Sequence, residues 1–185
     1  MKLIKIIIFL FISFNTPLVA KSNDDFQNLL SEGGKLIFIR HAYAPGTGDP
    51  KNFDIKDCSS QRNLNYRGIE QAKKIGLFFI KNNIKIDKVF SSEWCRCKDT
   101  AYFAFKKFIT RSFLNSFYNV KFVKNKSKQI NELNEYINKS TEVENTIFIT
   151  HYVNIHELLN LNASSGEIII TDKNLSLLSR IKFDY

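Results

Sequence analysis

The chain has 185 residues, with 27 Lys and Arg against 18 Asp and Glu and a formal net charge of +9. That length suits one domain with a sizeable core. The positive excess is mostly lysine scattered among Asn and Ile, with no arginine-rich tract, which argues against a nucleic-acid binder and leaves a modest pull on anionic small molecules.

Met1 to Phe14 carries Lys2 and Lys5 and then an unbroken apolar run, Ile6 to Ile12, followed by Pro17 and the small residue Ala20. That layout predicts a secretory signal peptide over residues 1–20, cleaved after Ala20. A membrane anchor is the rival reading, but the run is shorter than the roughly 20 residues a bilayer span needs. The expected mature chain, 21–185, is a single domain with no membrane span. Its cysteines, Cys58, Cys95 and Cys97, then face an oxidising compartment. A disulfide from Cys58 to Cys95 or to Cys97 is expected, because Cys95 and Cys97 are too close to bridge easily; one thiol is left over.

Asp24-Asp25 ahead of Phe26, Leu29 and Leu30 predicts a short helix ending at Gly33-Gly34. Leu36 to Ile39 reads as a buried strand that stops at Arg40-His41. Ala42 to Arg62 is polar and rich in turn residues, a loop long enough to be functional. Asn63-Leu64-Asn65 opens a helix whose apolar face is Ile69, Ala72, Ile75, Gly76 and Phe79, closed at Asn82-Asn83. Val89-Phe90 is a second strand, and Ser92 is placed to cap a helix from about Glu93 to Lys107. Ser112 to Val123 carries no clear pattern, and Ser127 to Lys139 reads as a surface helix. Thr146 to Thr150 is a third strand, and it too runs into a histidine, His151. A short helix over Asn154 to Leu161 and a hairpin, Ile168 to Thr171 with Leu175 to Lys182, complete the chain. Strands alternating with helices predict an α/β fold, a three-layer α/β/α sandwich around a mainly parallel sheet.

Parallel strands bring their carboxyl ends to one edge, where ligands bind in open α/β sheets. Arg40, His41, Arg96 and His151 then converge there. Guanidinium forks match phosphate oxygens, and a neutral imidazole can attack phosphorus. The pattern therefore points to a small phosphorylated substrate, with Arg62, Asn63, Thr47 and Gly48 of the first loop as further candidate contacts. No cofactor is implied, and Cys95-x-Cys97 has no second pair to complete a zinc set. The lone His156 reads as structural. Phe113, Phe117 and Tyr118 either line a mouth or fill the core.

Four segments in order carry a family likeness. Arg40-His41-Ala42 resembles the Arg-His-Gly signature of the histidine phosphatase (phosphoglycerate mutase-like) superfamily. Asn63-Leu64-Asn65-x-x-Gly68-x-x-Gln71-Ala72-x-x-x-Gly76 resembles its Leu-Thr-x-x-Gly-x-x-Gln-Ala helix, Ser91-Ser92-x-x-x-Arg96-x-x-x-Thr100-Ala101 its second arginine motif, and Thr150-His151 its second histidine. The Asp57-Cys58-Ser59 and Trp94-Cys95-Arg96-Cys97 details resemble an exported bacterial branch. The resemblance implies a phosphoglycerate mutase-like fold, a metal-independent phosphatase in the periplasm, His41 as the phosphorylated nucleophile, and Arg40, Arg96 and His151 as the phosphate pocket. His151 should serve there as a cation or hydrogen-bond donor. Two departures stand out: Ala42 replaces Gly, and neither the residue after His151 nor the segment Ser112 to Val123 supplies the superfamily's usual acid. Asp49 and Glu167 remain as candidate general acids. Without an acid, leaving groups needing little protonation are favoured, and the alternative is a non-catalytic phosphate- or phosphosugar-binding protein.

Overall fold

The structure is a computed structural model that describes residues 23–141 and 143–185. The expected signal peptide lies outside the described residues. Strands β1 (Leu36–Arg40), β2 (Ile86–Ser91), β3 (Ile109–Thr110), β4 (Asn145–Thr150), β5 (Ile168–Thr171) and β6 (Leu177–Ile181) form one sheet in the order β3-β2-β4-β1-β5-β6. The first four in that order are mutually parallel; β5 runs antiparallel to both β1 and β6. The expected α/β/α sandwich is observed.

Side-chain alternation along the strands divides the core in two. Ile37, Ile39, Ile147, Ile149, Ile168 and Ile170 face one side, with Phe26 and Leu30 of α1 (Asn23–Ser31), Ile75 and Phe79 of α2 (Tyr66–Lys81), and Ala101 and Ala104 of α3 (Cys95–Phe105). Leu36, Phe38, Phe148 and Ile169 face the other side, with Leu133 and Ile137 of α4 (Lys126–Lys139) and Ile155 of α5 (Tyr152–Leu159). Strands buried on both faces explain why their sequences read as continuous apolar runs.

Two glycines of α2 let neighbouring backbone approach closely. A Cβ on Gly68 would stand 2.0 Å from the Tyr43 carbonyl oxygen, and one on Gly76 would stand 2.2 Å from that of Ala104. Alanine normally favours a helix interior over glycine by about 1 kcal/mol. Here Gly76→Ala should instead destabilise by about 1–3 kcal/mol, because backbone cannot yield as a side chain can. A denaturant midpoint equal to or above that of the parent would refute the close-packing account.

Several boundaries differ from the sequence reading. The helix expected from Glu93 begins at Cys95, and Trp94 occupies its cap position with no side-chain cap bond. Ser92 is drawn into other bonds, and the Cys95 N–H donates instead to Gln61 Oε1 of the long loop, 3.0 Å away. The last helix starts at Tyr152, directly after His151, and ends where Asn160 adopts a left-handed conformation (φ 53°). The two-residue edge strand β3 is not among the elements expected from sequence, and both its residues are exposed. The chain's last residues fold back along α2. Gln71 Nε2 donates to the Phe183 carbonyl, and the Tyr185 ring stacks on Tyr43 with centroids 4.0 Å apart.

Candidate active site

Parallel β1, β2 and β4 end side by side. The His41 N–H donates to the Thr150 carbonyl at 2.9 Å, and the Ser92 N–H to that of Ile149 at 2.9 Å. His41 and His151 therefore emerge as neighbours, with ring centroids 5.5 Å apart. The turn after β1 is held by two motif residues: Thr100 Oγ1 accepts the Ala42 N–H at 2.9 Å, and Gln71 Oε1 accepts that of Tyr43 at 2.8 Å. Ala42 is fully buried and has no positive φ, so its backbone does not demand glycine.

Arg40, His41, Arg62, Arg96 and His151 line one cleft of about 620 Å³, joined by Thr47, Gly48 and Asp49. Arg96 is almost wholly buried and bonds Asp49 Oδ1 through Nη1 at 2.7 Å. Arg62 donates to the Gly48 carbonyl (2.7 Å) and to that of Ala44. Arg40 donates to the Ala163 carbonyl at 2.8 Å and lies over the Tyr152 ring. Three guanidinium groups thus share a cleft with one carboxylate. Burial and the charge of Arg96 lower the pKa of both Arg40 and Arg62, a sign of cations crowded together. The Nε donors of Arg40 and Arg96 are buried with no partner among the described residues. Unpaired buried donors are costly, and a cluster of this kind is set for an anion.

The imidazoles are neutral. His41 Nδ1 lies 2.8 Å from the Ala42 carbonyl oxygen, which can only accept, so Nδ1 carries the proton and Nε2 the lone pair. Burial, then Arg96, hold the pKa of His41 well below the usual imidazole range. His151 follows the same logic: burial first, then Arg96 and His41, push it down. Its Nδ1 faces Arg96 Nη2 at 3.4 Å and its Nε2 faces Ser92 Oγ at 2.9 Å. A guanidinium only donates, so Nδ1 accepts and the Nε2–H donates to Ser92, whose hydroxyl passes on to Asn115 Oδ1 at 3.1 Å. Of the two states expected for His151, cation or hydrogen-bond donor, the neutral donor is the one seen here: burial and the nearby arginines disfavour the cation, and the Nε2–H donates to Ser92.

These two rings make stability pH-dependent. Unfolded imidazoles titrate near pH 6.5, whereas the folded ones titrate well below that. Below about pH 6.5 the unfolded chain binds more protons, so acidification destabilises the fold by about 1.4 kcal/mol per pH unit per ring until the folded values are reached. A His41→Asn, His151→Asn double variant should show a flatter melting temperature between pH 7.5 and 5.5; a profile as steep as the parent's would discount the buried-neutral assignment.

The remaining candidates separate. Asp49 lines the cleft, but both its oxygens accept: Oδ1 from Arg96 and the Arg62 N–H, Oδ2 from the Trp94 indole at 3.1 Å. Glu167 is fully buried away from the cleft wall, with Oε1 on Arg180 at 2.7 Å and Oε2 on the Ser164 N–H at 2.7 Å. It anchors the β5–β6 hairpin and faces no leaving group. Asn63 also lies off the cleft and donates to the Cys58 carbonyl. Cys58 and Cys95 form the disulfide; Cys97 is free and buried, and burial pushes its thiol up to about 12. His156 is exposed and stacks on Tyr152. Phe113 and Phe117 are buried, while Tyr118 is exposed on the cleft rim. Ser92 and Trp94 stood in the sequence motifs without a site role, and Asn115 and the rim segment carried no signal, because they lie in short connections without periodicity.

No family profile and no curated protein matches the chain. Solved structures do. The protein histidine phosphatase SixA complexed with tungstate superposes with a TM-score of 0.58 at 14% identity, over 80% of this chain and 96% of its own. A mycobacterial glucosyl-3-phosphoglycerate phosphatase complexed with VO3 gives 0.56 at 13% identity, over 74% and 91%. A putative phosphohistidine phosphatase SixA from Agrobacterium tumefaciens gives 0.57 at 16%, over 81% and 99%. These likenesses define the fold as phosphoglycerate mutase-like, the architecture of histidine phosphatases.

Proposed function

We propose that this protein is a phosphatase that hydrolyses a phosphomonoester or related phosphoryl compound through a phosphohistidine on His41. The observation that carries the reading is a neutral, buried imidazole with its proton fixed on Nδ1, set among three guanidinium groups that share one carboxylate. The His41 Nε2 lone pair attacks phosphorus, and the P–O bond to the leaving group breaks with its electron pair on that oxygen. Arg40, Arg62 and Arg96 balance the charge on the phosphoryl oxygens. The Ala42 carbonyl keeps the Nδ1–H as the ring gains charge. Water then attacks the phosphoramidate, Nε2 recovers its electron pair and inorganic phosphate departs. The dianion offsets the positive field of the arginines at His151 and so weakens their depression of its pKa. Charge neutralisation by arginine makes the reaction metal-independent.

The tungstate and VO3 bound in two structural neighbours support an oxyanion at this site, since both stand in for phosphate. The Cys58–Cys95 disulfide supports export to an oxidising compartment such as a periplasm. The test is hydrolysis of p-nitrophenyl phosphate by purified protein with and without chelator; turnover insensitive to EDTA is expected. The engaged oxygens of Asp49 favour the second reading, a phosphate-binding protein without turnover. Tight vanadate binding with no hydrolysis across a broad panel would establish it and remove the first.

A further inference from the structure

The cleft beyond the phosphate site has a definite chemistry. Phe53, Trp94 and Phe122 form a closed set of rings with centroids 5.8, 5.9 and 5.6 Å apart. Trp94 continues edge-on to His151 at 5.4 Å, so the aromatic wall begins where the phosphoryl group would end. Tyr118, 67% exposed, and Val120, 87% exposed, extend it at the rim. At that rim Ser116 Oγ accepts the Tyr118 N–H and Asn119 Oδ1 that of Lys121. A flat ring would find the half-buried Phe53 and Phe122 and the exposed Tyr118 to pack on, with Trp94 buried behind them at 2% exposure. Asp49, the one carboxylate among the described residues lining the cleft, is committed as an acceptor to Arg96, Arg62 and Trp94.

We propose that the substrate is a phosphate monoester of a planar aromatic alcohol. Wall and carboxylate point there separately: rings stack on rings, and an aryl oxygen leaves as a delocalised anion without a proton from the protein. In the first step the P–O(aryl) bond breaks, the electron pair stays on the phenolate, and the phosphoryl group moves to His41 Nε2. In the second step water replaces Nε2 on phosphorus, and the water proton not kept by phosphate is matched by the one the phenolate takes from solvent. This inference rests on the phosphatase reading.

The test compares kcat/KM for phenyl phosphate, cyclohexyl phosphate and acetyl phosphate. Cyclohexyl phosphate matches the ring's size without its planarity or its stable anion. Acetyl phosphate releases acetate, which needs no proton, and carries no ring. Phenyl phosphate should exceed cyclohexyl phosphate by about 10²-fold or more. Tyr118→Ala, at an exposed position that folding tolerates, and Phe122→Leu should each lower the phenyl-to-acetyl ratio about three- to tenfold. Equal rates for phenyl and cyclohexyl esters, or a ratio unmoved in both variants, would overturn the aryl assignment while acetyl phosphate turnover and a phosphorylated His41 left the phosphatase intact. Failure to hydrolyse all three, with no phosphohistidine trapped, would overturn both.

Discussion

Replacing His41 with alanine should reduce phosphatase turnover by about 10⁴-fold or more and leave no acid-labile phosphoenzyme to trap. The size of the effect follows from the division of labour in the cleft. In the proposed reaction three arginines share the neutralisation of charge, whereas the lone pair that a fixed tautomer leaves on His41 Nε2 has no such understudy. Removing the ring should barely weaken vanadate binding, because the guanidinium groups remain. Rapid-quench measurement of the phosphoenzyme alongside vanadate affinity separates the two roles. Residual turnover within tenfold of the parent would take the nucleophile away from His41.

Removing the disulfide, as Cys58→Ala with Cys95→Ala, should cost about 4 kcal/mol, from the closure of a loop whose ends are 37 residues apart. For a chain of this size that is a fall of roughly 8–16 °C in melting temperature. The bridge also bears on the site. It ties the long loop that carries Thr47, Gly48, Asp49 and Arg62 to the first residue of the helix that carries Arg96. The Asp49–Arg96 ion pair and the Gln61–Cys95 bond close the same junction. KM for a phosphosubstrate should therefore rise with reduction, and reductant added to the parent should reproduce the double variant. Cys97 does not rescue the bridge: its thiol stays protonated, and exchange needs a thiolate. Melting curves that coincide with and without reductant would contradict this.

The strands and helices of the site were legible because each buries an apolar stripe of definite period. β1 and β4 are apolar runs cut off by Arg40-His41 and His151, and parallel topology does the rest. Glycines and small polar residues inside the recognised motifs also acquire reasons: Gly68 and Gly76 admit backbone, and Gln71 and Thr100 hold the turn after β1. What the sequence hid depends on partners far along the chain. Either Cys95 or Cys97 suited Cys58 by spacing; the helix start at Cys95 turns one toward the loop and the other into the core beside His151. Glu167 looked available for acid chemistry until its β6 partner Arg180 was in place. The charge state of His151 was likewise hidden, since it depends on arginines from three separate segments. The aromatic rim is irregular backbone, for which no periodicity exists to read.

The stacking of Tyr185 on Tyr43, together with the grip of Gln71 on the Phe183 carbonyl, couples the chain's final residues to the turn that orients His41. Removing the Tyr185 ring, as Tyr185→Ala, should therefore loosen that turn and lower the proposed turnover through His41, although Tyr185 lies outside the cleft.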